Sequence, residues 1–283
     1  ETIYGHHPFL ILADYLTRQG IVVLRVDDRG VGESTGDFSQ ATSEDFASDV
    51  LAGVEYLKTC KEIDPKKIGL IGHSEGGIIA PMVAVKSPDV AFIILMAGTG
   101  LTGEEILYLQ GALISRAMGV SEEDIIKKRQ FNEKIFSVLI EEKDSEIAEE
   151  RLRQMFEEDW EKMSDEEKEQ IGDSEVFLEA QLQSLLSPWL KFFLTYDPKP
   201  TLSKVKCPVL AINGEKDLQV PPKENLNAIE EVLKAGGNQS YTIKELPGLN
   251  HLFQTAQTGV PSEYVKIEET ISPVALKIIS DWI

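Results

Sequence analysis

Gly72-His73-Ser74-Glu75-Gly76 is the stretch of this chain best suited to nucleophilic chemistry. A serine in a G-x-S-x-G pentapeptide, set between an apolar strand and an apolar helix, sits on a very sharp strand-to-helix reversal. Glycines at 72 and 76 leave room for strand and helix to close on one another. The turn holds Ser74 in strained backbone geometry and lifts its hydroxyl above the sheet. The helix that starts near Glu75 aims its positive end at the site, which favours developing negative charge. The backbone N–H of Glu75 is then the expected donor to an oxyanion. Its side chain is open to two readings, a contact for a cationic substrate group or a solvent-facing first-turn glutamate.

A hydroxyl alone is a poor nucleophile. It needs a base that titrates near neutral pH, and the base needs a partner that holds its tautomer. The chain has four histidines, His6, His7, His73 and His251. His73 is fixed inside the turn and reads as a packed structural residue, while His6 and His7 precede the first predicted helix and read as surface or mouth residues. His251 lies just after the last predicted strand, from where it can reach the turn. Asp217, in Gly214-Glu215-Lys216-Asp217, directly follows a buried strand and is the acid expected at the far ring nitrogen, with Glu215 as its local competitor. The order Ser, Asp, His is one of three chain orders that build this geometry. The chemistry would be two-step acyl transfer, with no cofactor.

The elements that must carry these residues are legible from periodicity. A helix is predicted over 9–16, with Gly20 closing it, then a β-branched strand over 21–26 and a glycine-rich loop over 27–34. A helix over 43–57 carries Phe46, Val50, Val54 and Leu57 on one stripe. Strands are predicted over 67–72 and 90–96, separated by a helix over 78–85. Three strand-then-helix units in succession predict a mainly parallel sheet. Further strands are expected over 208–214 and 240–246, with helices over 223–233 and 272–283.

Between Leu101 and Tyr196 the pattern is helical throughout and holds nearly half of the 48 acidic residues. The most economical reading is a cap over the sheet edge. Leu185, Leu186, Trp189, Phe192 and Phe193 near its end are candidates to line an acyl or aromatic pocket. The expected division is a core from 1–100 and 197–283, with the cap at 101–196. Residues 1–8 lead almost directly into a helix, so further N-terminal strands are expected upstream of Glu1. A formal charge of -20 argues against a nucleic-acid partner, and no run is long enough for a membrane span. Four histidines, and two cysteines at a helix end (Cys60) and beside a strand (Cys207), give no metal-site spacing.

Asp28-Arg29-Gly30-Val31-Gly32-Glu33-Ser34, Gly72-His73-Ser74-Glu75-Gly76-Gly77, Gly214-Glu215-Lys216-Asp217 with Val220-Pro221, and Gly248-Leu249-Asn250-His251 together resemble the α/β-hydrolase superfamily. Within it the chain looks like bacterial esterases related to serine aminopeptidases and prolyl-oligopeptidase-like enzymes. The resemblance covers residues 1–100 and 200–283. It implies an α/β-hydrolase fold, a mainly parallel sheet flanked by helices with a helical cap inserted after the strand at 90–96. It implies Ser74 as nucleophile, Asp217 as acid and His251 as base, with Asp28 and Arg29 in a loop that organises the floor of the site. It also implies a second oxyanion donor from a loop before Glu1. The expected substrate is a small ester or a short peptide. Three readings follow: a carboxylesterase first, an aminopeptidase or oligopeptidase-like enzyme second, and a non-catalytic binding protein on the same scaffold third.

Overall fold

The computed structural model describes residues 2–283, with positions 167 and 170 described by backbone alone. The chain enters through α1 (Pro8–Arg18), where Pro8 occupies a first-turn position that needs no N–H donor. A left-handed turn at Gly20 leads into an extended segment and then α2 (Ser43–Thr59). The N–H and hydroxyl of Thr42 both donate to the Asp45 carboxylate, at 2.9 and 3.0 Å, and so fix where α2 begins. Next come β1 (Gly69–His73), α3 (Gly76–Lys86) and β2 (Phe92–Met96).

The long helical stretch is divided into α4 (Gly103–Ala117), α5 (Glu122–Glu141), α6 (Ser145–Lys162), α7 (Asp165–Ile171), α8 (Ser174–Leu185) and α9 (Pro188–Thr195). The divisions are written in the caps. Side chains of Thr102, Ser121, Asp144, Asp173 and Ser187 each accept a backbone N–H from the first turn they precede. A short α10 (Lys199–Leu202) returns the chain to β3 (Val209–Gly214), α11 (Pro222–Ala235) and β4 (Tyr241–Leu246). A one-turn α12 (Pro261–Tyr264) and α13 (Pro273–Trp282) close the fold.

The sheet is parallel throughout, in the order β1-β2-β3-β4. Alternation along its central strands sorts the core into two. Ile93, Leu95, Val209 and Ala211 join one apolar cluster. Ile94, Met96, Leu210 and Ile212 join the other, with Leu12 and Leu16 of α1 and Ala275, Leu276 and Ile279 of α13. The first cluster continues without a break into the inserted helices through Ile106, Phe136, Leu152, Leu182 and Phe193. The helical cap therefore shares the sheet's core.

The strand predicted over 21–26 is not in the sheet. Residues 21–28 run outside any helix or strand and pair with no strand among the described residues. Ile21 and Val23 pack against the second cluster, while Val22 and Val26 are 65% and 66% exposed. An apolar β-branched run becomes a strand only when a neighbour supplies its ladder hydrogen bonds, and no described segment does so here. The other four predicted strands form, and the sheet has four strands in place of five.

Candidate active site

Because every strand runs the same way, the loops that follow β1, β3 and β4 emerge at one edge of the sheet. Ser74 follows β1, Asp217 lies just beyond β3, and His251 lies just beyond β4. Ser74 has φ +54°, a left-handed conformation that costs a non-glycine residue energy. It is held there by its N–H, which donates to the Met96 carbonyl at 2.8 Å, and by its own carbonyl, which accepts from Gly77 at 2.8 Å.

The glycine pattern differs from the sequence expectation at one position. A Cβ at Gly72 would overlap the Gly76 carbonyl, and one at Gly77 would overlap the Gly98 backbone. A Cβ at Gly76 would meet nothing within 4 Å. The close approaches are thus made at 72 and 77. Gly76 contributes its backbone to the crossing and needs no missing side chain of its own.

Asp217 and His251 are joined directly. His251 Nδ1 donates to Asp217 Oδ2 at 2.8 Å, and both side chains are buried. The other oxygen of Asp217 accepts the N–H groups of Gln219 and Val220, each at 2.8 Å, so the carboxylate cannot turn away. With Nδ1 committed as donor, the neutral ring presents Nε2 as an acceptor. Asn250 folds the His251 loop by accepting the N–H groups of Leu252 and Gln254. Among the described residues no hydrogen bond joins the Ser74 hydroxyl to the His251 ring; catalytic hydrogen bonds are commonly long before substrate arrives.

His73 does more than fill space. Its Nε2 lies 2.8 Å from the His251 carbonyl, which can only accept, so that nitrogen carries the proton. The two rings stand 4.8 Å apart. Burial, and next the nearby His251, push the His73 pKa down to about 3. His73 is therefore neutral at physiological pH, a donor that tethers the backbone of His251. His6 ends elsewhere, against Thr270 and the Tyr264 carbonyl.

The Glu75 side chain is half-buried, not solvent-facing, and makes two contacts that the sequence did not suggest. Its Oε1 accepts from the Ser43 hydroxyl at 2.6 Å and from the Trp189 indole at 2.8 Å. Burial raises its pKa, the two hydrogen bonds pull it down, and the nearby Asp28 pushes it up again, with a net upward shift. The turn's backbone hydrogen bonds run from Gly77, Ile78 and Ile79 to Ser74 and Glu75. Among the described residues no acceptor takes the N–H of Glu75, as is normal at a helix start.

Arg29 clamps its loop to α2. Its guanidinium makes paired bonds of 2.8 Å to Asp49 and also reaches the Asp45 side chain and carbonyl. Asp28 has its pKa raised by burial and by Asp49 and Asp27. Of the five aromatic and leucine candidates in the cap, Trp189 reaches the turn. Phe193 is core, stacked on Trp189, and Phe192 stacks on Tyr196. Leu185 and Leu186 pack against the same core. Ser43 carried no signal in the sequence, since a serine in the first turn of a helix reads as a cap. Among the described residues no cluster of three or more His, Cys, Asp or Glu could hold a metal ion, and no helix is long and apolar enough to cross a membrane.

A parallel sheet flanked by helices, a helical cap inserted after β2 and a left-handed serine at the end of β1 define the α/β-hydrolase fold. The chain belongs to the X-Pro dipeptidyl-peptidase (S15) family, whose model matches residues 5–246. It is similar to the esterase EstD of Thermotoga maritima, at 23% identity over 94% of this chain and 54% of that protein. The chain thus spans about half the length of the curated relative it matches. Among solved structures it is similar to a monoacylglycerol lipase from Paleococcus ferrophilus, at TM-score 0.51 and 16% identity, over 96% of this chain and 88% of the other. An esterase from Pyrococcus furiosus gives TM-score 0.51 and 17% identity over 85% and 66%. These likenesses show the fold.

Proposed function

We propose that this protein is a serine hydrolase that cleaves carboxylic esters of small to medium acyl substrates through an acyl-enzyme. The observation that carries this reading is the bond from His251 to Asp217, at the sheet edge where Ser74 occupies its left-handed turn. His251 Nε2 takes the Ser74 proton as Oγ attacks the substrate carbonyl, and the oxyanion leans on the free N–H of Glu75. The alcohol leaves with the proton from Nε2. Water activated by the same nitrogen then releases the acid. Asp28 and Arg29 brace the floor of the site through α2. Trp189, with Leu185, Leu186, Phe192 and Phe193 behind it, forms the apolar wall of the acyl pocket.

The esterase names of the similar Thermotoga and Pyrococcus proteins favour an ester substrate. The family match favours a second reading, in which the substrate is a peptide and its N-terminal ammonium pairs with the Glu75 carboxylate. In that reading the ammonium would pair with Oε2, since Ser43 and Trp189 both donate to Oε1.

A panel of nitrophenyl esters of increasing acyl length and X-Pro nitroanilides, run on wild type and Ser74→Ala, decides between them. Ester turnover is expected to dominate and to fall about 10⁶-fold in the variant. Faster cleavage of the nitroanilides would favour the peptidase. Equal turnover by Ser74→Ala would remove both readings, and none by wild type would leave a binding protein on this scaffold.

A further inference from the structure

We infer that Glu75 is a positioning residue whose carboxylate locks cap helix α9 to the nucleophile turn and to the start of α2. Three elements meet on one oxygen atom. Trp189 brings its indole N–H from α9, Ser43 brings its hydroxyl from the first turn of α2, and Glu75 itself begins the helix that follows Ser74.

Elsewhere the cap meets the sheet largely through apolar residues of the shared core, with the Tyr196 hydroxyl donating to Thr201 where the cap ends. Apolar contact holds surfaces together without fixing their register, whereas charge-assisted hydrogen bonds are directional. The Trp189 ring stacks on Phe193, with centroids 5.2 Å apart and planes 7° from parallel. The backbone of Phe193 in turn abuts Gly103, where a Cβ would overlap the Phe193 carbonyl. Gly103 opens α4, the first helix of the cap. The helices that begin and end the insertion therefore meet at Phe193, whose ring stacks on the indole that Glu75 holds.

The choice of residue also argues for a role beyond stability. A half-buried carboxylate with a raised pKa, near the charge of Asp28, costs folding energy. A glutamine would satisfy the same two donors without that charge. What the carboxylate adds is a stronger grip on both donors. Its own backbone N–H is the proposed oxyanion donor, so one residue sets the distance between that donor and the Trp189 wall. This inference rests on the acyl-enzyme reading for its kinetic consequence, while the contacts themselves stand apart from it.

The test uses ¹⁵N-tryptophan-labelled protein, with the Trp189 indole signal identified by its loss in Trp189→Phe. Exchange of that N–H with solvent is expected to be slow in wild type, at least tenfold faster in Glu75→Ala, and restored most of the way in Glu75→Gln. In parallel, Glu75→Ala and Trp189→Phe should each change the preference between short and long nitrophenyl esters at least fivefold. The double variant should be no worse than the more affected single one. Unchanged indole exchange in Glu75→Ala would overturn the lock, as would effects of the two substitutions that simply multiply. Should Glu75→Ala not fold, Glu75→Gln and Trp189→Phe remain. Glu75→Gln keeps the size of the side chain and Trp189→Phe removes the indole donor, so Glu75→Gln must then leave a measurable residual increase in indole exchange and add little to the ester effect of Trp189→Phe. A wild type inactive on every ester would defeat the hydrolytic reading alone, and indole exchange would still decide the lock.

Discussion

His73 links the nucleophile turn to the backbone of the proposed base, and its protonation state has a consequence for stability. In the folded chain it is neutral down to about pH 3, whereas in the unfolded chain it charges below about 6.5. Between those limits the unfolded state binds the extra proton, so stability falls as pH falls, by about 1.4 kcal/mol per pH unit from this group. Urea unfolding at pH 7, 6, 5 and 4 should show that loss in wild type. His73→Gln, which keeps a donor for the His251 carbonyl but cannot charge, should lose less over the same range. Equal slopes would mean that the ring is not enclosed as described. That Asp217 and His251 stand at strand ends on one edge follows from periodicity and chain order. The engagement of Glu75 was not legible, because its partners lie 32 and 114 positions away and neither belongs to a motif.

At the scale of elements, the turn around Ser74 depends on how closely β1 and α3 cross. Gly72→Ala should destabilise severely, since its methyl would overlap the Gly76 carbonyl and backbone cannot yield as a side chain can. Gly76→Ala should be neutral or stabilise by up to about 1 kcal/mol, since it adds helix propensity in open space. Thermal melts of the two variants separate the claims, and a large loss at 76 would contradict the crossing described. The same reasoning explains the segment at 21–26. Hydrophobic, β-branched composition was readable there, but pairing is a property of the neighbour, and nothing in six residues reports whether a neighbour stands beside them. Within the cap the sequence reads only as helical throughout; the breaks fall where Thr102, Ser121, Asp144, Asp173 and Ser187 supply local helix-start chemistry.

For the whole molecule, the core that runs from the sheet into the cap predicts cooperative behaviour. Leu152, fully buried in α6 of the cap, belongs to the same cluster as Ile93 and Val209 of the sheet. Leu152→Ala should cost about 2–5 kcal/mol and lower the melting temperature of the entire molecule in a single transition. An early cap transition ahead of an unshifted sheet transition would show two independent units. The proposed chemistry depends on that shared frame, because its residues come from three loops on one sheet edge and the cap closes on them through Glu75. Intact-mass analysis after treatment with a fluorophosphonate tests it most directly. One adduct per chain should form, map to Ser74, be absent in Ser74→Ala and form far more slowly in His251→Ala. An adduct that persists without the Ser74 hydroxyl, or a wild type that stays unlabelled, would contradict the account.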